Sequence, residues 1–168
     1  MRYVEIEKDM PDYDRIMGIY ESSFPQYERI PVKYIIGMEN IDFLAVYDDD
    51  ELVGLTCIVN DEKLTFLFYL AVEEGHRSKG LGGMILDDIC GRYREPIILD
   101  VEVVDKESEE YELRSRRRSF YLRHGFSDTG RILDDSQGVF NVLCRGVYNE
   151  EDYLRFLDKL DPGSCRVY

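Results

Sequence analysis

The chain lacks several features that would each announce a particular class of protein. No apolar run approaches the roughly 18–20 residues of a membrane span. The opening stretch MRYVEIEKDM carries no signal-peptide pattern, so a cytoplasmic protein without membrane contact is expected. The four cysteines, Cys57, Cys90, Cys144 and Cys165, are scattered and form no C-x-x-C pair. That spacing argues against a disulfide framework or a zinc ribbon. Cys57 and Cys144 sit in apolar, strand-like runs and read as small buried hydrophobes. Histidine is scarcer still: His76 and His124 have no second His or Cys at ligand spacing, and no metal site is expected. A Cys–His nucleophilic pair stays open, although nothing local suggests one. Basic charge is short as well. Lys and Arg number 21 against 35 Asp and Glu, a formal charge of −14 that argues against binding nucleic acid or anionic lipid.

What remains is ample for a folded core. The 168 residues are 44% hydrophobic and include 13 glycines besides. A chain of about 150 residues buries about 70% of its unfolded surface, so one ordered domain over residues 1–168 is expected.

Hydrophobic spacing supplies the elements. Tyr3, Val4 and Ile6 suggest a short strand, and Tyr13, Ile16, Met17 and Tyr20 fall at helical spacing. Pro25 and Pro31 break the pattern at FPQYERIP, with a second short helix expected through Tyr34, Ile35 and Met38. IDFLAVY and ELVGLTCIVN read as a hairpin turning at Asp48-Asp49-Asp50. Residues 64–72 are apolar on both faces, as in a central strand covered on two sides. EEGHRSKGLGG then leads into a helix with Leu81, Met84, Ile85 and Ile89 on one stripe. Beyond Pro96, residues 97–103 read as another central strand and the acidic 105–112 as a solvated loop or helix entry. An arginine-rich helix over 113–124 stops at Gly125, a left-handed cap. Strands near 126–132 and 139–147 precede an amphipathic helix over 149–160, which makes residues 149–168 a C-terminal helical extension. The order of elements gives a mixed α/β domain, its central sheet carrying helices on both faces.

Two stretches carry chemistry. In the first, a strand runs through Leu70 and Val72 into a loop holding Arg77, Ser78, Lys79, Gly80, Gly82 and Gly83, then directly into a helix. Glycines let a ligand approach the backbone, and a helix start offers unpaired N–H groups with a favourable dipole. Together with Arg77 and Lys79 this is a pyrophosphate cradle. It is not a P-loop, because Leu81 replaces the lysine, and it is not a dinucleotide fingerprint, because Ile85 takes the last glycine position. The alternative is a strand–helix turn whose glycines serve packing alone. The second stretch is Phe120-Tyr121-Leu-Arg-His-Gly125-Phe126. Tyr121 alone would fit a packing role at a rim. The five arginines at 114, 116, 117, 118 and 123 either form a solvated face neutralised by Glu107, Glu109, Glu110 and Glu112, or face phosphates.

Together, Arg77-x-x-Gly80-x-Gly82 after a strand and Phe120-Tyr121-x-x-x-Gly125-Phe126 resemble the GNAT superfamily of acyl-CoA-dependent N-acyltransferases. The element order resembles that family's fold over residues 1–147, with a mixed sheet of about six to seven strands. The resemblance implies acetyl-CoA as acyl donor and direct transfer in a ternary complex. Backbone groups near Leu70 and Val72 would pair with the pantetheine arm, and amides from Ser78 to Gly83 would hold the pyrophosphate. Tyr121 matches the tyrosine that protonates the departing thiolate. The family's Asn seven residues before that tyrosine and Ala four before it are here Arg114 and Arg117. The segment 24–29 with Asp100-Val-Glu102 resembles a bacterial subgroup of the superfamily.

A carboxylate has to take the acceptor's ammonium proton. Asp100 and Glu102, two apart on one strand, share a face. Glu102 is the first candidate for base or amine anchor and Glu28 the second, with pairing to the arginine helix as the alternative. The leading expectation is an N-acetyltransferase for a primary amine of a small molecule or a peptide amino terminus, with a homodimer left open. The runner-up is a catalytically silent acyl-CoA-binding or regulatory module. A nucleotide-binding protein of another fold is the third reading.

Overall fold

The computed structural model describes residues 1–168. Its elements in chain order are β1 (Arg2–Glu5), α1 (Tyr13–Ser23), β2 (Ile41–Asp48), β3 (Glu51–Asn60), β4 (Thr65–Val72) and α2 (Leu81–Arg92). They continue with β5 (Ile97–Glu102), α3 (Tyr111–Arg123), β6 (Ser127–Asp135), β7 (Gly138–Arg145), α4 (Glu150–Leu160) and β8 (Arg166–Val167). The strands form one mixed sheet of eight in the order β1-β2-β3-β4-β5-β7-β6-β8. The mixed α/β class is as expected, with one strand more than the upper expected number. The addition is β8, two residues too short to leave a hydrophobic pattern.

Two compact units divide the chain: Met1–Asn60 with Leu67–Ile89, and Asp61–Phe66 with Cys90–Tyr168. In the first, β1, β2 and β3 pair antiparallel. Ile16, Ile19 and Tyr20 of α1 are buried in a core with Ile6, Phe43, Leu55, Tyr69 and Ala71. Burial of each large side chain contributes about 1.5–3 kcal/mol, so this apolar set carries the unit. The expected second helix shrinks to one 3-10 turn at Val32–Tyr34, where Ile35 alone is deeply buried. On α2 the buried stripe is Leu81, Ile85, Leu86 and Ile89. Leu81, Ile85 and Ile89 are as expected, while Met84 is 52% exposed and Leu86 takes its place on the stripe.

The second unit begins where β4 pairs parallel with β5 at Thr65↔Ile97 and Phe66↔Ile98. β5 and β7 then run antiparallel over six registered pairs, from Ile97↔Arg145 to Glu102↔Phe140. Phe66 packs on Phe156 of α4 with ring centroids 5.1 Å apart. Asn149 caps α4 by accepting the Asp152 N–H at 3.0 Å, a contact typically worth about 1 kcal/mol. Lys159 near the helix end pairs with Asp61 at 2.6 Å. Cys57 and Cys144 are buried, as expected, one in each unit. No helix is long and apolar enough to cross a membrane.

Candidate functional site

Within the first unit β4 is the outermost strand, and its second half departs from the two-sided burial expected of it. Leu67, Tyr69 and Ala71 are buried, whereas Phe68, Leu70 and Val72 on the other face are only half-buried. The close fit of β4 to β3 rests on Gly54. A Cβ there would stand 2.2 Å from the Ala71 carbonyl oxygen, so no other residue fits without moving backbone.

From Val72 the chain makes one 3-10 turn at Glu74–His76 and then opens. Ser78 (φ 63°) and Gly80 (φ 83°) are both left-handed. For a glycine this is free, but for Ser78 it costs roughly 1–2 kcal/mol, strain of a kind that concentrates at ligand-gripping loops. The first backward helical bond of α2 runs from the Met84 amide to the Gly80 carbonyl at 3.2 Å. The preceding amides, at Leu81, Gly82 and Gly83, therefore have no acceptor in their own helix. Arg77, Ser78, Lys79 and Gly80 are all exposed around them. Unpaired amides, a helix dipole and two cations make this loop suited to an anion. Arg77 also has a local duty, donating its Nε–H to the Val72 carbonyl at 2.9 Å. One lone pair of that carbonyl is thus engaged by the protein itself.

The loop at 24–31 is tied to the same strand. Tyr69 donates to the Glu28 carbonyl at 2.6 Å and accepts the Ile30 amide at 3.1 Å, while Tyr20 donates to the Ile30 carbonyl at 3.0 Å. Phe24 packs on the Tyr69 ring at 4.6 Å. Glu28 is half-buried there.

In the second unit, Glu102 and Tyr121 belong to one electrostatic cluster centred on Arg117. Burial pushes the Glu102 carboxyl upward, but Arg117, at 2.5 Å, outweighs it and holds the group below its ordinary value. Burial pushes the Tyr121 phenol up to about 12, eased by Arg117 and reinforced by Glu102. It is therefore a neutral hydrogen donor near pH 7. Asp100, two residues before Glu102, goes the opposite way. It retains a little exposure, yet dense packing around the carboxyl raises it to about 7, tempered by Tyr153. The buried Tyr153 hydroxyl lies 2.8 and 3.0 Å from the two Asp100 oxygens and donates to them.

The arginine helix is largely spoken for. Arg114 pairs with Glu110 at 2.7 Å, Arg117 with Glu102, and Arg118 with Asp128 at 2.7 Å. Neutralisation by the neighbouring acidic stretch accounts for Arg114 alone; Arg117 takes the alternative given for Glu102, pairing across to β5, and Arg118 pairs with β6. Position 114, where a small polar residue was the family pattern, is thereby turned toward its own helix start. Gly125 closes α3 with φ 85°, the left-handed cap expected of it.

Comparisons with known proteins bear on both stretches. Residues 39–128 match the model of the acetyltransferase (GNAT) domain. Among curated proteins none matches significantly. The fold is shared with a GNAT-family protein of Bacteroides thetaiotaomicron assigned as an acetyltransferase, 23% identical, with a TM-score of 0.76 over 95% of this chain and 96% of that one. An aminoglycoside 6'-N-acetyltransferase complexed with coenzyme A is 19% identical, TM-score 0.64, over 89% and 99%. Arabidopsis thaliana Naa50, in complex with the bisubstrate analogue CoA-Ac-MVNAL, is 18% identical, TM-score 0.62, over 87% and 98%.

Proposed function

Because the chain belongs to the GNAT acetyltransferase family, we propose that it transfers an acetyl group from acetyl-CoA to a primary amine. The reading treats residues 1–168 as one acyltransferase domain with 149–168 as its extension. One observation carries it: the half-buried end of β4 at Leu70 and Val72 leads through a single 3-10 turn into the left-handed loop and the helix-start amides of α2. An extended arm ending in a pyrophosphate has matching chemistry, with strand-like polar groups followed by two anionic centres. Leu70 and Val72 would hold the arm, and Arg77, Ser78, Lys79, Gly80, Gly82 and Gly83 the phosphates.

In the transfer, the acceptor nitrogen bonds to the thioester carbon as the carbon–sulfur bond breaks. The acceptor ammonium loses one proton before the attack and a second as the amide forms, while sulfur gains one, so the reaction releases one proton net. Tyr121, neutral because burial raises its pKa, is the donor to sulfur. For the first proton, the pKa values of the two β5 carboxyls are pushed apart, a pattern that sorts acid–base roles. Asp100, near 7, suits a proton acceptor, while Glu102, ionised beside Arg117, suits an electrostatic anchor for the ammonium. Glu28 serves the acceptor from the loop that Tyr69 holds.

The acceptor is read as a small molecule or a peptide amino terminus. Relatives solved with coenzyme A or a peptide-bearing analogue include both kinds. A net charge of −14 favours cationic acceptors in either case.

The test is release of free CoA from acetyl-CoA across a panel of aminoglycosides, polyamines and short peptides. Turnover by the wild type, cut about 100-fold or more in Tyr121→Phe, is the expected result. Tight acetyl-CoA binding without turnover on any amine would replace the enzyme with a silent binding module. Preference for ATP or NAD over CoA would remove the reading altogether.

A further inference from the structure

The loop before α2 is held by an ion-pair set made of residues that are not themselves assigned to the proposed cradle. Glu73, the residue directly after β4, receives both Arg15 Nε (2.8 Å) and an Arg15 terminal nitrogen (2.6 Å) on its two carboxylate oxygens. The same Arg15 nitrogen reaches the Leu52 carbonyl of β3 at 3.1 Å. His76, on the 3-10 turn, places Nε2 3.2 Å from Glu51 Oε1 and 3.5 Å from Glu73 Oε2. Asp12, accepting from Tyr47 at 2.9 Å, adds a further negative charge near Arg15. The set therefore joins α1, β2, β3 and the loop, all inside the first unit.

Its purpose is not evident from stability. Arg15 is 43% exposed, and ion pairs so placed add little to folding. Their geometric content is high, however, because a two-pronged Arg–carboxylate contact fixes orientation as well as distance. The Arg15 hydrogen bonds hold Glu73 ionised below its ordinary value, so the clamp is in its charged form at neutral pH. Glu73 and His76 stand five and two residues before Ser78, whose left-handed backbone persists only where the surroundings dictate it. His76 is 15% exposed, and so is packed rather than merely displayed.

We infer that Arg15, Glu73 and His76 are positioning residues that set the anion-binding conformation of the 74–83 loop. The inference rests on the proposed acyl-CoA reading. Arg15 fixes the end of β4 through Glu73, and His76 fixes the turn against β3 through Glu51. The amides of Leu81, Gly82 and Gly83 then meet the phosphates already oriented, so binding does not have to order them.

The experiment compares wild type with Arg15→Met, Arg15→Lys, Glu73→Gln and His76→Gln, measuring CoA affinity by calorimetry, both KM values, kcat and Tm. Arg15→Met and Glu73→Gln should each raise the Kd for CoA and the KM for acetyl-CoA about 10-fold, leaving kcat and the amine KM within about twofold. Arg15→Lys, which keeps the charge but loses the fork, should fall between, and His76→Gln should weaken CoA severalfold. Unchanged CoA affinity in folded Arg15→Met and Glu73→Gln would overturn the inference and leave the acyl-CoA reading standing. So would a parallel fall in kcat and Tm with a rise in both KM values, which marks a purely structural role. Failure of the wild type to bind CoA at all would remove the acyl-CoA reading and this inference with it.

Discussion

A single terminal nitrogen of Arg117 lies 2.5 Å from Oε1 and 2.6 Å from Oε2 of Glu102, bridging α3 and β5. The guanidinium offsets the cost of burying the carboxylate, which is why Glu102 ends below its ordinary pKa despite its surroundings. In Arg117→Met that burial is opposed only by a backbone hydrogen bond and Arg114, and Glu102 should titrate higher than in the wild type. The native pair contributes stability above the unfolded pKa of about 4.3 and loses it as pH falls through the depressed folded value. Wild type should therefore be more stable than Arg117→Met by about 1–3 kcal/mol at pH 7, the partial exposure keeping this below fully buried pairs. The gap should close below about pH 4 in thermal melts.

Asp100 behaves in the opposite sense. Its folded pKa of about 7 exceeds the unfolded value, so its contribution is fully present in acid and is lost as pH rises through 7. Asp100→Asn keeps an acceptor for the Tyr153 hydroxyl and removes the ionisation. It should melt higher than wild type at pH 8, on the order of a few kcal/mol, and no higher at pH 4. As the proposed proton acceptor, the same variant should lose kcat, raising stability while lowering activity.

Gly54→Ala tests the fit of β3 to β4. The added methyl would sit 2.2 Å from a backbone oxygen, so a strand must shift instead of a side chain. A loss of about 1–3 kcal/mol is expected for such overpacking. Because the displaced strand leads into the anion loop, the KM for acetyl-CoA should rise as well. Equal Tm and equal KM in the two proteins would refute the strand-contact account.

Tyr69→Phe removes one hydroxyl that both donates to Glu28 and accepts from Ile30. It leaves the ring and its contact with Phe24 in place. The 24–31 loop should loosen, raising the amine KM severalfold while the affinity for CoA stays within about twofold. A change in CoA affinity without a change in amine KM would assign the loop to the donor side.

Local signals accounted for much of this. The hairpin of β2 and β3, the strand after Pro96, the left-handed Gly125 and the amphipathic α4 each follow from a few adjacent residues, and each stands where its pattern indicated. The glycine loop was legible for the same reason, as a strand–glycine–helix run, although the left-handed backbone at Ser78 left no mark in the sequence. Partner choice was legible only in part. Pairing of Glu102 with the arginine helix was one of two readings, but that Arg117 is the arginine, and that Asp100 meets Tyr153, 53 residues away, is decided by tertiary packing. Gly54 left one faint mark, a glycine inside the β-rich run ELVGLTCIVN, which signals a close backbone approach. Arg15 carries no local mark, because its meaning lies in Glu73, 58 residues on.

The shortest strand has a consequence out of proportion to its length. β8 pairs with β6 at Leu133↔Val167 and Asp134↔Arg166, and Tyr168 exchanges backbone bonds with Ile132 at 2.8 and 3.1 Å. These three residues occupy the flank of β6 that would otherwise present bare amides and carbonyls to any passing extended segment. The tail is thus an end-stop. Were it trimmed, β6 would become an adhesive rim, open to backbone pairing with a further extended segment.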